Sequence, residues 1–163
     1  MSMDLVPKQV FLTKGVGRHK EQLCSFELAL RNAGIAKCNL VCVSSIIPPG
    51  CRLIQRRAGL RLLKPGQITF VVMARRSCNE ARLIASAIGC AMPIHGMHGF
   101  LAEHASVGED CKRTGSYAEQ LAATMLSSAS GKVKNIKTSS IAQAARCRSG
   151  IWTTVVAAAV LLI

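Results

Sequence analysis

The sequence predicts a mixed α/β (α+β) protein, a layered sandwich folded as a single domain. Three observations predict it. Short apolar runs recur at residues 10–14, 38–45, 68–74, 99–105 and 151–163, as buried strands require. Stretches with helical spacing alternate loosely with them, which suits sheets covered by helices. At 163 residues the chain has the usual size of one domain, long enough to bury a real core.

Taken in order, residues 10–14 predict a strand that stops at Gly15. Residues 21–33 predict a helix with Leu23, Phe26, Leu30 and Ala33 on one stripe and Gly34 as its stop. Residues 38–45 predict a strand closed by Pro48-Pro49-Gly50, since proline cannot continue a central ladder. Residues 51–67 read as a polar, arginine-rich connection ending at Pro65-Gly66, and residues 68–74 as another buried strand. Residues 79–91 predict a helix with Ile84, Ala87, Ile88 and Ala91 inward. A strand at 99–105 follows, then a helix over 116–128 around Tyr117, Leu121 and Met125. Residues 129–150 are small, polar and basic, with one strand near 134–141, and the last strand occupies 151–163.

Composition limits the chemistry. Aromatics are 4% of the chain against 50% apolar residues, so the core is aliphatic and the chain is not of the disordered class. The net charge of +13 raises nucleic-acid or anionic-membrane binding. The basic residues are scattered, however, and one Trp and one Tyr offer little for base stacking, so a solvated basic surface is the better reading. Only 8 acidic residues exist, and any carboxylate chemistry must use them. The 8 cysteines show neither C-x-x-C nor zinc spacing, and several sit in apolar runs as small hydrophobes. With no signal-peptide pattern at the N-terminus, they suit a reducing cytoplasm. The terminal apolar run has 13 residues, short of the ~20 a spanning helix needs, so no membrane partner is expected. No phosphate-binding glycine loop is present.

Four features carry candidate chemistry. Ser44-Ser45 lies at the end of an apolar strand before a rigid proline stop. A hydroxyl held against the preceding carbonyl can attack it, giving an N-to-O acyl shift; elimination then leaves dehydroalanine, which hydrolyses to a pyruvoyl group. Taken alone, the dipeptide is an ordinary turn. Glu27 sits on or beside the helical apolar stripe, where a carboxylate is either marginal and solvated or faces a cation such as a guanidinium. Glu103 ends the run Gly99-Phe100-Leu101-Ala102; if half-buried there it would suit a general acid, and if it reaches water it is an ordinary strand end. Asn39 has the strand parity of Ser45, so its amide could donate to an oxyanion, or could simply be a buried hydrogen-bonding group.

These stretches together resemble the pyruvoyl-dependent arginine decarboxylase family. The matching segments are FLTKGVGRHKEQLCSFELALRNAGI, KCNLVCVSSIIPPGC, NEARLIASAIG, GFLAEH, GSYAEQLAATML and GIWTTVVAAAVLLI, in order over nearly the whole chain. The resemblance implies an αββα sandwich. It also implies self-cleavage between Ser44 and Ser45 into a β chain 1–44 and an α chain 45–163 that begins with the pyruvoyl group. That group would form a Schiff base with the α-amine of arginine, and the products would be agmatine and carbon dioxide. Glu103 would match the family's proton donor, Glu27 its guanidinium-binding acid and Asn39 its processing-assisting residue. Trimers with sites between neighbours are implied, and neither metal nor PLP is needed. Lysine or ornithine as substrate, and a non-catalytic basic nucleic-acid-binding protein, are the alternatives. The chain also departs from the family pattern, because residues 127–132 are too short for a polar insertion expected before the segment at 132–141.

Overall fold

The structure, a computed structural model, describes residues 4–131 and 135–163. β1 (Gln9–His19) leads through a short turn into α1 (Gln22–Ala33). Gly34 ends that helix at φ 83°, a left-handed conformation that a Cβ would disfavour, and its N–H returns to the Arg31 carbonyl. Three short elements follow, β2 (Asn39–Cys42), β3 (Ile46–Ile47) and β4 (Arg52–Leu53), and then α2 (Arg56–Leu62). The long strands β5 (Ile68–Cys78), β6 (Leu83–Pro93) and β7 (Gly99–Val107) precede α3 (Cys111–Ser130), whose first turn is capped by the Asp110 carboxylate accepting from Arg113 N–H. β8 (Ile136–Arg146) and β9 (Trp152–Leu162) complete the chain.

Among the described residues the strands form two sheets. The first has the order β2-β5-β9-β1-β4 and the second β3-β7-β6-β8. β9 is central to the first sheet, antiparallel to both β1 and β5. β6 is central to the second, antiparallel to β7 and β8. The aliphatic core between the sheets includes Val72, Ala74, Ile88, Leu101, Ala157 and Ala159. On the other face of the first sheet, Phe11, Val71, Val156 and Ala158 pack against Ala29 and Ala33 of α1. On the other face of the second sheet, Ala87 and Ala91 meet Ala118 and Ala122 of α3. The layers are therefore helix, sheet, sheet, helix, which agrees with the expected αββα sandwich.

Several expectations change. Residues 79–91, read as a helix, contribute the central strand β6. Ile88 and Cys90 face the inter-sheet core while Ala87 and Ala91 face α3, so both faces are apolar and periodicity cannot separate strand from helix. The single strand expected over 38–45 is two, with a break between β2 and β3. The connection at 51–67 contains β4 and α2, and Arg56 of α2 donates to the Asn32 and Ala33 carbonyls at the C-terminal end of α1. α3 runs on through Ser130, into the stretch expected to be loop. The strand near 134–141 is β8, although Lys134 lies outside the described residues.

Both main helices bury mostly small residues against their sheets, while larger ones such as Phe26, Leu30, Leu121 and Met125 pack partly buried beside them. In α1 the buried positions are Ser25, Ala29 and Ala33, and Leu23 is 78% exposed. In α3 they are Thr114, Gly115, Ala118, Ala122 and Leu126, and Tyr117 is 48% exposed. The helix axes thus lie close to the sheets. At Gly89 on β6 an added Cβ would overlap the Ala118 carbonyl of α3. Gly89→Val should therefore lift α3 from the sheet and cost about 3 kcal/mol, seen as a drop of roughly 10 °C in the thermal unfolding midpoint.

Candidate active site

The break between β2 and β3 is where the chain passes from one sheet to the other. Val43 N–H donates to the Val71 carbonyl of β5 at 2.9 Å, so Val43 still belongs to the first sheet. The Ser45 carbonyl accepts from Leu101 N–H of β7 at 2.7 Å, so Ser45 already belongs to the second. The Ser44–Ser45 peptide is the span between these two anchors. It is not packed away: Ser44 is exposed, Ser45 is partly so, and Ser44 lines a groove of about 330 Å³ with Val6, Val43, Ile46, Phe70 and Leu161. Immediately beyond, Ile47 is fully buried, and Cys51 N–H closes a turn on the Pro48 carbonyl at 3.1 Å. The peptide is thus fixed on both sides yet open to water.

Glu103 lies two residues beyond Leu101 on β7, on the same face and roughly 7 Å along the strand. Its register partner is Ile88. The structure brings Glu103 to the edge of β7 that Ser45 joins, but leaves it exposed rather than half-buried.

Asn39 starts β2, and its Nδ2 donates to the Gly66 carbonyl at 3.0 Å. Because β2 ends at Cys42 and the chain then changes sheets, strand parity no longer relates Asn39 to Ser45. Asn39 instead lines a cleft of about 430 Å³ with Phe26, Leu30, Cys42 and Arg75. Phe26 carries the Arg75 guanidinium over its ring at 4.7 Å.

Glu27 lies on α1 and accepts the Arg31 guanidinium through both oxygens, with Arg31 Nη2 donating to Oε2 at 2.9 Å and Nε to Oε1 at 3.3 Å. Glu27 and Glu103 do not meet within one chain: α1 covers the outer face of the first sheet, whereas Glu103 shares the inter-sheet face of Leu101. Sequence reasoning missed this division and the Arg31 contact, although the i,i+4 spacing of Glu27 and Arg31 was visible.

All eight cysteines are free. Among the described residues, no group of three or more His, Cys, Asp or Glu could hold a metal ion, and no helix is long and apolar enough to cross a membrane.

A family model described as pyruvoyl-dependent arginine decarboxylase matches residues 9–163. A pyruvoyl-dependent arginine decarboxylase of Methanocella arvoryzae is 52% identical over 167 residues, covering 100% of both chains. One of Methanococcoides burtonii is 45% identical over 180 residues, 98% of this chain and 100% of the other. A probable enzyme of the same name from Chlorobium phaeovibrioides is 51% identical over 182 residues, 98% of this chain and 99% of the other. These matches define the class: a carboxy-lyase that works with a pyruvoyl group. The chain belongs to the pyruvoyl-dependent arginine decarboxylase family.

The Glu27–Arg31 pair is exposed, with 47% and 69% of the two side chains accessible, so solvent screens it. Arg31→Ala should cost no more than about 0.5 kcal/mol and leave the thermal midpoint within roughly 2 °C of the parent.

Proposed function

We propose that the chain cleaves itself between Ser44 and Ser45 and then decarboxylates L-arginine to agmatine and carbon dioxide. The observation that carries this reading is the Ser44–Ser45 peptide, pinned to one sheet by Val43 and to the other by Ser45, in a chain of this family. Ser45 Oγ attacks the Ser44 carbonyl carbon; the peptide C–N bond breaks, and an ester and a free amine form. Elimination across the Ser45 Cα–Cβ bond releases Ser44 as a carboxylate. Hydrolysis of the resulting dehydroalanine expels ammonia and leaves the pyruvoyl group at the start of the α chain, residues 45–163. Two fixed anchors limit the conformations open to the intervening peptide, which favours attack by a neighbouring hydroxyl. They also fit the product, because the Leu101 N–H remains available to the Ser45 carbonyl, which becomes the amide carbonyl of the new group.

The pyruvoyl group supplies a carbonyl that condenses with an amine and accepts electrons as carbon dioxide leaves. The chain's own residues bind and move protons around it. Glu103, on the strand that anchors Ser45, returns a proton to the substrate carbon. Glu27 receives the guanidinium in bidentate fashion, a geometry favouring arginine over lysine or ornithine, and Arg31 must first swing aside. Asn39 assists the acyl shift, and its present bond to Gly66 must loosen for it to do so. Since Glu27 and Glu103 lie on opposite sides of the first sheet, the site forms between neighbouring αβ protomers of a trimer. A neighbour covering Glu103 would also desolvate it. The enzyme works in the cytoplasm, without metal, PLP, nucleic acid or membrane.

Intact-mass measurement tests the reading. Two fragments, 1–44 and a blocked 45–163, are expected; a single uncut chain that forms no agmatine after long incubation would sink it. Ser45→Ala should remain uncut. Glu103→Gln should be cut normally yet lose 10²–10⁴-fold in kcat, the usual range for a general acid; full activity would remove Glu103 from this role. Arg31→Ala should lower KM for arginine, because a competing guanidinium is gone; an unchanged or raised KM would argue against Glu27 as the receptor.

A further inference from the structure

Far from Ser45, the two sheets meet again at the end of the sandwich where β5 finishes and β8 turns into β9. Cys78 is the last residue of β5 and is partly exposed. Cys147 follows β8 directly and is only 6% exposed. Both pack into one small cluster with Ile84, Ala145 and Val155. The backbone holds them there. Cys147 N–H donates to the Arg82 carbonyl at 2.7 Å, and Gly150 N–H to the Asn79 carbonyl at 2.9 Å, so the residues after Cys147 are laced to those after Cys78. Thr153 of β9 is the register partner of Cys78 and faces the same corner. Burial pushes the Cys147 thiol up, Thr153 and Arg18 partly oppose this, and the Cys78 sulfur beside it adds to the rise.

The two thiols differ in a way that suits sequential oxidation. Cys78 is reachable from solvent, and its sulfur accepts a hydrogen bond from Glu80 N–H at 3.4 Å, a donor that stabilises charge on it as it reacts. Cys147 is shielded from solvent and lies in the same cluster as Cys78. The exposed Cys24 and Cys42 lie on separate elements, α1 and β2.

We propose that Cys78 and Cys147 are a modification site: a thiol pair that a hydroperoxide converts to a disulfide, stapling the first sheet to the second. Cys78 sulfur attacks one peroxide oxygen, the O–O bond breaks, and the departing hydroxide takes the thiol proton and leaves as water. Cys78 is then a sulfenic acid. Cys147 sulfur attacks Cys78 sulfur; the S–S bond forms, the S–O bond breaks, and the oxygen leaves with the Cys147 proton as a second water. Two thiols are oxidised by two electrons and one peroxide is reduced by two. The bond closes a long loop within the α chain, residues 45–163, where the entropy lost by the unfolded chain is large.

The test uses the full-length protein. It is treated with hydrogen peroxide, the remaining thiols are blocked with N-ethylmaleimide, and the peptides are mapped by mass spectrometry. A linked peptide joining Cys78 to Cys147, two hydrogens lighter than the thiols and reversed by dithiothreitol, is expected. The oxidised protein should melt about 5 °C or more above the reduced one. In Cys147→Ser, Cys78 should stop at the sulfenic acid and be trapped by dimedone. The proposal is overturned if both positions carry maleimide under conditions that consume Cys24 and Cys42, or if Cys78 is joined to another cysteine. The map of the parent protein decides even where the variant does not fold.

Discussion

The constraint on which the rest depends is the passage of one short segment between two sheets. Residues 43–45 leave the first sheet and enter the second, with one backbone hydrogen bond at each side. The crossing segment cannot use a regular ladder on both sides at once, so the peptide between Ser44 and Ser45 is free of strand pairing while its neighbours are fixed. A strand interior would protect this bond, and a long loop would let it wander. The sandwich supplies an intermediate case: a bond held in place but not covered. Ile47, buried beyond the crossing, and the Pro48 turn after it make the exit rigid.

The close fit of helices to sheets serves the same end. With alanine, serine and glycine at the contacts, α1 and α3 lie near their strands, and side-chain bulk is spent between the sheets instead. Interiors packed this way resist deformation. Strands β5 and β7, which carry the two anchors, are thereby backed by a solid core. The same economy leaves Leu23 and Tyr117 on the surface of a single chain, Leu23 on α1 with Glu27 and Tyr117 on α3, which follows the strand of Glu103.

How much of this was legible in the sequence depended on whether a residue's environment had one side or two. β9 was read as a buried strand from its β-branched run, and α1 was bounded by Gly34 because a left-handed cap leaves a chemical mark. β6 was misread because Leu83–Pro93 is buried on both faces, which erases the period that tells strand from helix. Of the helix stripes, Phe26, Leu30, Ala33, Leu121 and Met125 do pack on the core, while Leu23 and Tyr117 do not, because bulk alone does not mark burial where close packing selects small residues. For the candidate site, Ser45 and Glu103 stand out through the stretches that carry the family resemblance, but the pairing of Ser45 with Leu101, two residues before Glu103, is a matter of sheet topology that the sequence does not mark. The strand parity between Asn39 and Ser45 failed, since it assumed that one strand continued where the chain in fact changes sheets. That Glu27 stands on the far side of a sheet belongs to topology, which no local pattern encodes.

The charge balance then acquires a structural reading. A net charge of +13 repels a cationic amino acid at long range, yet salt screens that field over about 8 Å. Discrimination must therefore come from near contacts. The Glu27 carboxylate already binds a guanidinium edge-on with both oxygens, and the exposed pair with Arg31 contributes little, so exchange of one guanidinium for another costs little. In the single chain Arg31 balances the charge of this acid, and a ligand of the same shape could take its place. A lysine ammonium could balance that charge but could not reproduce both parallel bonds. Under the role proposed for Glu27, shape selection by exchange of like for like would let a strongly basic chain receive a basic substrate.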